Sequence, residues 1–176
     1  MPWLLLEMKS HFFRRSPEAE MSVSVQSAAF DVGSEITELT KNLHGIGAVA
    51  SFVGLVRDMH EVDGADANVK AMTLEHYPGM TERALEEIVA AAQERWNLIA
   101  VRVIHRYGRL EPGEGIVLVI VASAHRGEAF AACEFVMDFL KTRAPFWKKE
   151  ESTEGGRWVA ARDEDESATA RWMDRR

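Results

Sequence analysis

Apolar positions along the chain recur with two different periods. SVSVQ (Ser22 to Gln26) alternates small polar and β-branched residues, which predicts a short first strand. From Ser34 the spacing lengthens: Ile36, Leu39 and Leu43 recur at helical intervals, with Ser34 placed to cap a first helix and Gly45 to stop it after about His44. GIGAVASFVGLVRD (residues 45–58) is apolar on both alternating faces, as expected of a central strand, and ends in Arg57, whose guanidinium would project from the strand's end. The polar run of residues 58–68 carries Asp63-Gly64, a turn signal that predicts a long, mobile hairpin connection. VKAMTLEHY returns as a strand closed by Pro78-Gly79, and Thr81 is placed to cap an amphipathic helix with the core stripe Leu85, Ile88, Val89, Ala92 and Trp96.

After Asn97 the period returns to two, with Ile99, Val101, Val103, His105 and Tyr107 on one face. The EPGEG turn (Glu111 to Gly115) leads into GIVLVIVASAH, an almost continuous apolar run, so two neighbouring strands are expected. The second delivers His125 and Arg126 to the start of a helix from about Gly127 to Thr142, predicted to bury Phe130, Cys133, Val136, Met137 and Leu140. Pro145 ends that helix, because a residue preceding proline disfavours helical geometry. FWKKE then leads to a Gly155-Gly156 turn, a short RWVAAR strand and a C-terminal helix from about Asp163. The pattern reads as α+β, with mixed, mainly antiparallel strands and about four helices.

Composition narrows the class. The 176 residues, 47% hydrophobic and 28% charged, suit one globular domain, expected over residues 21–176. Residues 1–20 have a short apolar patch followed, not preceded, by basic residues, the wrong order for a secretory signal; Met21 offers an alternative start. No apolar run reaches the roughly 20 residues that span a bilayer, so no membrane role is expected. The single cysteine, Cys133, lies among apolar residues with no base beside it in sequence and reads as a structural thiol. A formal net charge of −7 argues against general nucleic-acid binding but leaves room for a local basic pocket.

The six histidines are scattered, without metal-ligand spacing, and neither a dinucleotide fingerprint nor a phosphate loop is present. No metal or other cofactor is expected. A cationic cluster remains: His125, Arg126, Lys141, Arg143, Lys148 and Lys149 lie at the two ends of one apolar segment in an acidic chain. Arginine grips phosphate or carboxylate through a planar fork, and lysine supplies a compact charge that can become an acid, base or nucleophile. Lys141 lies one helical turn beyond Met137, and Lys148 just past Phe146 and Trp147. For a single lysine, complementing a helix dipole is explanation enough. The whole cluster points instead to an anion site.

Several of these stretches carry a family resemblance. TLEHYPGMTERAL (73–85), VIHRYGRLEPGE (103–114), SAHR (123–126) and above all MDFLKTRAPFWKKE (137–150) resemble the large, catalytic subunits of molybdopterin synthase, and the similarity runs from about Met21 to Trp172. The resemblance implies an α/β-hammerhead fold and a cytoplasmic homodimer that becomes a heterotetramer with two small ubiquitin-like subunits. It implies sulfurtransferase activity: sulfur passes from the small subunit's C-terminal Gly-Gly thiocarboxylate to cyclic pyranopterin monophosphate, and two transfers give the dithiolene of molybdopterin.

Carried over position by position, the family's substrate pocket falls on Leu55, Val56 and Arg57, on His125 and Arg126, on Lys141, and on Lys148, Lys149 and Glu150, with Phe52, Met137 and Arg162 as wall or rim. In the family the His-Arg pair and the last arginine come from the dimer mate. Leu55 stands where relatives commonly carry a lysine, so a contact there would use backbone. The implied roles are phosphate binding for Arg57, His125 and Arg126, catalysis for Lys141, and charge stabilisation for Lys148. The rival readings are a non-catalytic module that grips a ubiquitin-like tail, which would not need all these cations, and an RNA-binding domain, which the net acidity disfavours.

Overall fold

The computed structural model describes residues 20–62, 65–152, 155–159 and 168–172, the Asp63-Gly64 turn and Arg162 lying outside them. Strands β1 (Glu20–Gln26), β5 (Leu98–Arg106), β7 (Gly115–Ser123) and β2 (Ala48–Leu55) form a four-stranded sheet in that order. β1 runs parallel to β5, and the other pairs are antiparallel. Alternation along β5 and β7 splits the core in two. Val101, Val103, Val119 and Val121 face helices α2 (Met80–Arg95) and α3 (Arg126–Arg143), while Ala100, Ile104, Leu118 and Ile120 face α1 (Val32–Thr40). Both faces of this sheet are therefore covered, which is why its inner strands read as continuous apolar runs. Trp172, beyond a helical turn at 168–170, is buried edge-on against Trp96 and Phe135, with ring centroids 5.7 and 5.5 Å away.

A second sheet stands beside the first. β3 (Met59–Val62), β4 (Ala65–His76), β8 (Phe146–Ser152) and β9 (Gly155–Val159) pair in that order, and the short β6 (Gly108–Leu110) joins β4. Val56, Met72, Leu74 and Leu110 make its small core. The fold is α+β with mainly antiparallel strands, as expected, with three full helices and the helical turn at 168–170 among the described residues.

Several expectations are corrected. Asp31, not Ser34, caps α1: the Ser34 backbone N–H donates to Asp31 Oδ1 at 2.7 Å, which also holds that carboxyl below its usual pKa. The helix ends at Thr40, four residues early. β2 is an edge strand, not a central one, and leaves Val49, Phe52, Val53 and Leu55 exposed. The long connection before β4 is mostly strand, because Val62 pairs with Ala65 across a two-residue link. Gly79, at φ 82°, caps α2, and its N–H donates to Glu82 Oε2. Thr81 is fully buried instead: its Oγ1 accepts from the Tyr77 N–H and donates to the Pro145 carbonyl, tying the start of α2 to the end of α3. FWKKE is not a lead-in to a turn but most of β8. Phe130 is exposed, since the buried stripe of α3 follows Ala129, Ala132, Cys133, Val136, Met137 and Leu140 and leaves position 130 to one side.

Candidate active site

Where the two sheets meet α3, a cleft of about 650 Å³ opens. Each element delivers its residues by its own geometry. β2 ends in a bulge between Gly54 and Leu55, so the strand turns away from β7 and carries Arg57 to the cleft mouth. A Cβ on Gly54 would come within 2.7 Å of Val117 Cγ1, so the close approach of β2 to β7 at this bend needs glycine. The last turns of α3 supply Met137, Leu140 and Lys141, one helical turn apart.

β8 divides its residues by parity. Phe146, Lys148 and Glu150 lie opposite His76, Leu74 and Met72 of β4 on the inner face, and Lys148 and Glu150 line the cleft. Lys148 Nζ lies 2.9 Å from Oε1 of Glu150, which is buried, so a paired charge is held against the apolar wall of Met72 and Leu74. Trp147 and Lys149 face outward, opposite Glu75 and Thr73, and the Lys149 ammonium sits 5.9 Å from the Trp158 ring centroid.

The cleft thus unites Phe52, Leu55, Arg57, Met137, Lys141, Lys148 and Glu150, seven of the positions singled out in the sequence. Four others are not brought to it. Val56 is buried in the second sheet's core, its N–H and carbonyl engaged by Glu114 and Gly113. Lys149 is on the wrong face of β8 because strand side chains alternate. His125 and Arg126 lie exposed at the opposite end of α3, about 22 Å from Lys141 at 1.5 Å per residue. Within one chain they cannot act on the same bound group as Lys141.

A cleft residue that the search for chemistry passed over is His105 of β5. It is buried and lines the cleft, its ring stacked on Phe146 with centroids 3.7 Å apart. Burial lowers its pKa to about 4, with the neighbouring His76 adding to the effect against a hydrogen bond to the Arg106 carbonyl. The alternating pattern did put His105 on a strand face, but nothing in the sequence distinguishes a cleft-facing position from core. Cys133 behaves as a structural thiol, pushed up to about 11 by burial and by the charge of Glu134.

A second hollow of about 470 Å³, lined by Ala50, Ser51, Phe130 and Glu134 among others, shares Phe52, Met137 and Lys141 with the first. Lys141 therefore sits on the partition between two concavities, and Phe52 of the exposed edge strand is the wall they have in common.

Comparison with known proteins places this arrangement. The model of the family described as MoaE protein matches residues 25–143, most of both sheets and all three helices. The chain belongs to the MoaE family. A molybdopterin synthase catalytic subunit of Ralstonia nicotianae is 60% identical over 151 residues, covering 86% of this chain and 84% of its own. One of Pseudomonas aeruginosa is 58% identical over 152 residues, covering 86% and 99%. The solved MoaE protein of Burkholderia ambifaria superposes with a TM-score of 0.74 at 52% identity, covering 87% of this chain and 98% of its own. The MoaE assignment accords with the hammerhead fold expected from the sequence. No helix among the described residues is long and apolar enough to cross a membrane.

Proposed function

We propose that this chain is the catalytic subunit of a molybdopterin synthase, and that its cleft is where sulfur passes from the thiocarboxylate of a small ubiquitin-like subunit to cyclic pyranopterin monophosphate. The carrying observation is that Arg57, Lys141, Lys148 and Glu150, drawn from three separate elements, line one concavity with apolar walls. Donor and substrate are both anions, and cations fixed in one concavity beside apolar walls hold them better than the same charges dispersed over the surface.

Lys141, on the partition between the two hollows, is assigned the catalytic role. Its ammonium offsets the thiocarboxylate charge and is placed to transfer protons as the sulfur bonds to a substrate carbon and water then cleaves the acyl C–S bond, leaving the tail as a carboxylate and the sulfur on the pterin. Lys148 assists in charge stabilisation, oriented by Glu150. Arg57 at the mouth takes part of the phosphate charge.

His125 and Arg126 are assigned to phosphate binding in the neighbouring protomer's cleft. Their setting suits an anion. The first turn of α3 presents backbone N–H groups without intrahelical partners, and a Cβ at Gly127 would meet nothing within 4 Å, so approach is open. A homodimer joined by two small subunits accommodates this division of labour. Arg162, outside the described residues, remains assigned to the rim, and the cytoplasm to the setting.

The test is reconstitution: this chain, a thiocarboxylated small subunit and cyclic pyranopterin monophosphate should together yield molybdopterin. Lys141→Ala should stop product formation while the small subunit still binds. Near-wild-type turnover in that variant would reject the assignment.

A further inference from the structure

The charged residues of the cleft explain how anionic groups are held, but they leave one polar side chain without a task. Among the described lining residues, Arg57, Lys141, Lys148 and Glu150 are ionic, and His105 is the single neutral polar group. Its orientation is over-determined. Nδ1 lies 2.9 Å from the Arg106 carbonyl, which can only accept, so the ring proton is on Nδ1 and Nε2 carries a lone pair. Stacking on Phe146, with centroids 3.7 Å apart and planes 18° from parallel, holds the plane of the ring. No side-chain nitrogen or oxygen that is fully buried among the described residues lacks a hydrogen-bond partner, yet Nε2 makes no bond to any described residue. Nε2 must therefore be reachable by solvent, and the space that His105 borders is the cleft.

We propose that His105 is a specificity-determining residue of this cleft, its Nε2 accepting a hydrogen bond from an N–H donor of the bound ligand. The inference rests on the function proposed above only for the ligand's identity. A lone pair held among lysines cannot bind the anionic ends of either reactant. It selects instead for a neutral N–H, which the backbone of a Gly-Gly tail and the ring of a pyranopterin both present. A site built around an acceptor rejects analogues lacking the donor, because the buried acceptor is then left unpaired.

Two measurements test this. In the first, steady-state kinetics compares wild type with His105→Asn, which keeps a donor to the Arg106 carbonyl but loses Nε2, with His105→Gln, which can place an oxygen near the Nε2 position, and with His105→Phe, which keeps only the ring. The Asn and Phe variants should raise KM for one reactant roughly tenfold, the scale of one neutral hydrogen bond with its partner left unpaired, with a smaller fall in kcat. Gln should recover most of that loss. A rise for the small subunit assigns the donor to the tail, and a rise for the pyranopterin assigns it to the substrate. Unchanged KM for both, or a Gln variant as impaired as Phe, overturns the proposal in favour of a structural histidine. The second measurement needs no variant. In wild-type protein with ¹⁵N-labelled histidine, the His105 Nε2 resonance should move toward its hydrogen-bonded position on adding either the small subunit or cyclic pyranopterin monophosphate. No movement with either overturns the proposal, whereas movement without molybdopterin formation by wild type would sink the assigned reaction and leave this contact standing.

Discussion

The two ends of α3 carry the same sign of charge, but only one of them borders a cleft. At the C-terminal end, Lys141, itself exposed, borders the cleft lined by Phe52, Met137 and the Lys148–Glu150 pair. At the N-terminal end, His125 and Arg126 stand in the open, beside a helix start whose N–H groups face outward. Sequence proximity to one apolar segment suggested a single positive cluster, but a rigid 18-residue helix converts that proximity into separation. Under the proposed function, the cleft beside one end is where chemistry takes place, and the other end, away from that cleft, is free to reach into a second protomer's site.

The sharpest challenge to this contrast is Lys141→Ala, expected to lower turnover by about 10²–10³, the usual cost of removing one preorganised charge-stabilising group. A loss under tenfold in the reconstituted assay would remove the distinction between the two ends. Acid should also act on the cleft through His105, on β5. The His105 imidazole titrates at about 4 in the fold against 6.5 when exposed, so the unfolded chain binds the extra proton first as pH falls. Stability from this group is complete above pH 6.5 and declines toward pH 4, by roughly 3 kcal/mol in total at 1.36 kcal/mol per unit. His105→Phe should flatten that part of the profile in denaturant titrations.

Arg126→Ala should raise KM for the phosphate-bearing substrate by about tenfold, as expected for one charge-assisted contact at an exposed site. Mixing it with Lys141→Ala should then restore activity, since a mixed dimer contains one intact cleft. Absence of recovery would return both ends of α3 to a single chain and break the comparison. The smallest expected effect is Lys149→Ala, within about twofold of wild type, because Lys149 lies on the far face of β8. A large loss there would contradict the strand's register.

How far the sequence foretold this depends on the kind of signal. The stripe Leu85, Ile88, Val89 and Ala92 and the alternation of β5 were legible because burial imposes a period on them. Arg57, Lys141 and Lys148 were legible because cations beside apolar residues in an acidic chain are conspicuous and because their flanking motifs resemble a family. β8 was not, since charged residues from 148 to 151 hide its alternation. Nor was the edge position of β2, whose two apolar faces resemble those of an inner strand. His105 was hidden for another reason: what makes it notable is the atom left over after Nδ1 binds the backbone, and no spacing rule encodes that.

β8 also limits how this protein can vary. Its inner face holds Phe146, Lys148 and Glu150 only because an even number of steps separates them from one another. Losing one residue between Pro145 and Lys148 would present the cleft with Trp147's neighbours in the wrong order and turn the Lys148–Glu150 pair toward solvent, whereas any single side chain can be exchanged without moving the rest. Odd length changes along APFWKKE thus disturb the cleft in a way that a single substitution does not. Deleting either Phe146 or Trp147 should lose activity, and deleting both, which leaves an even number of residues between Pro145 and Lys148, should recover part of it.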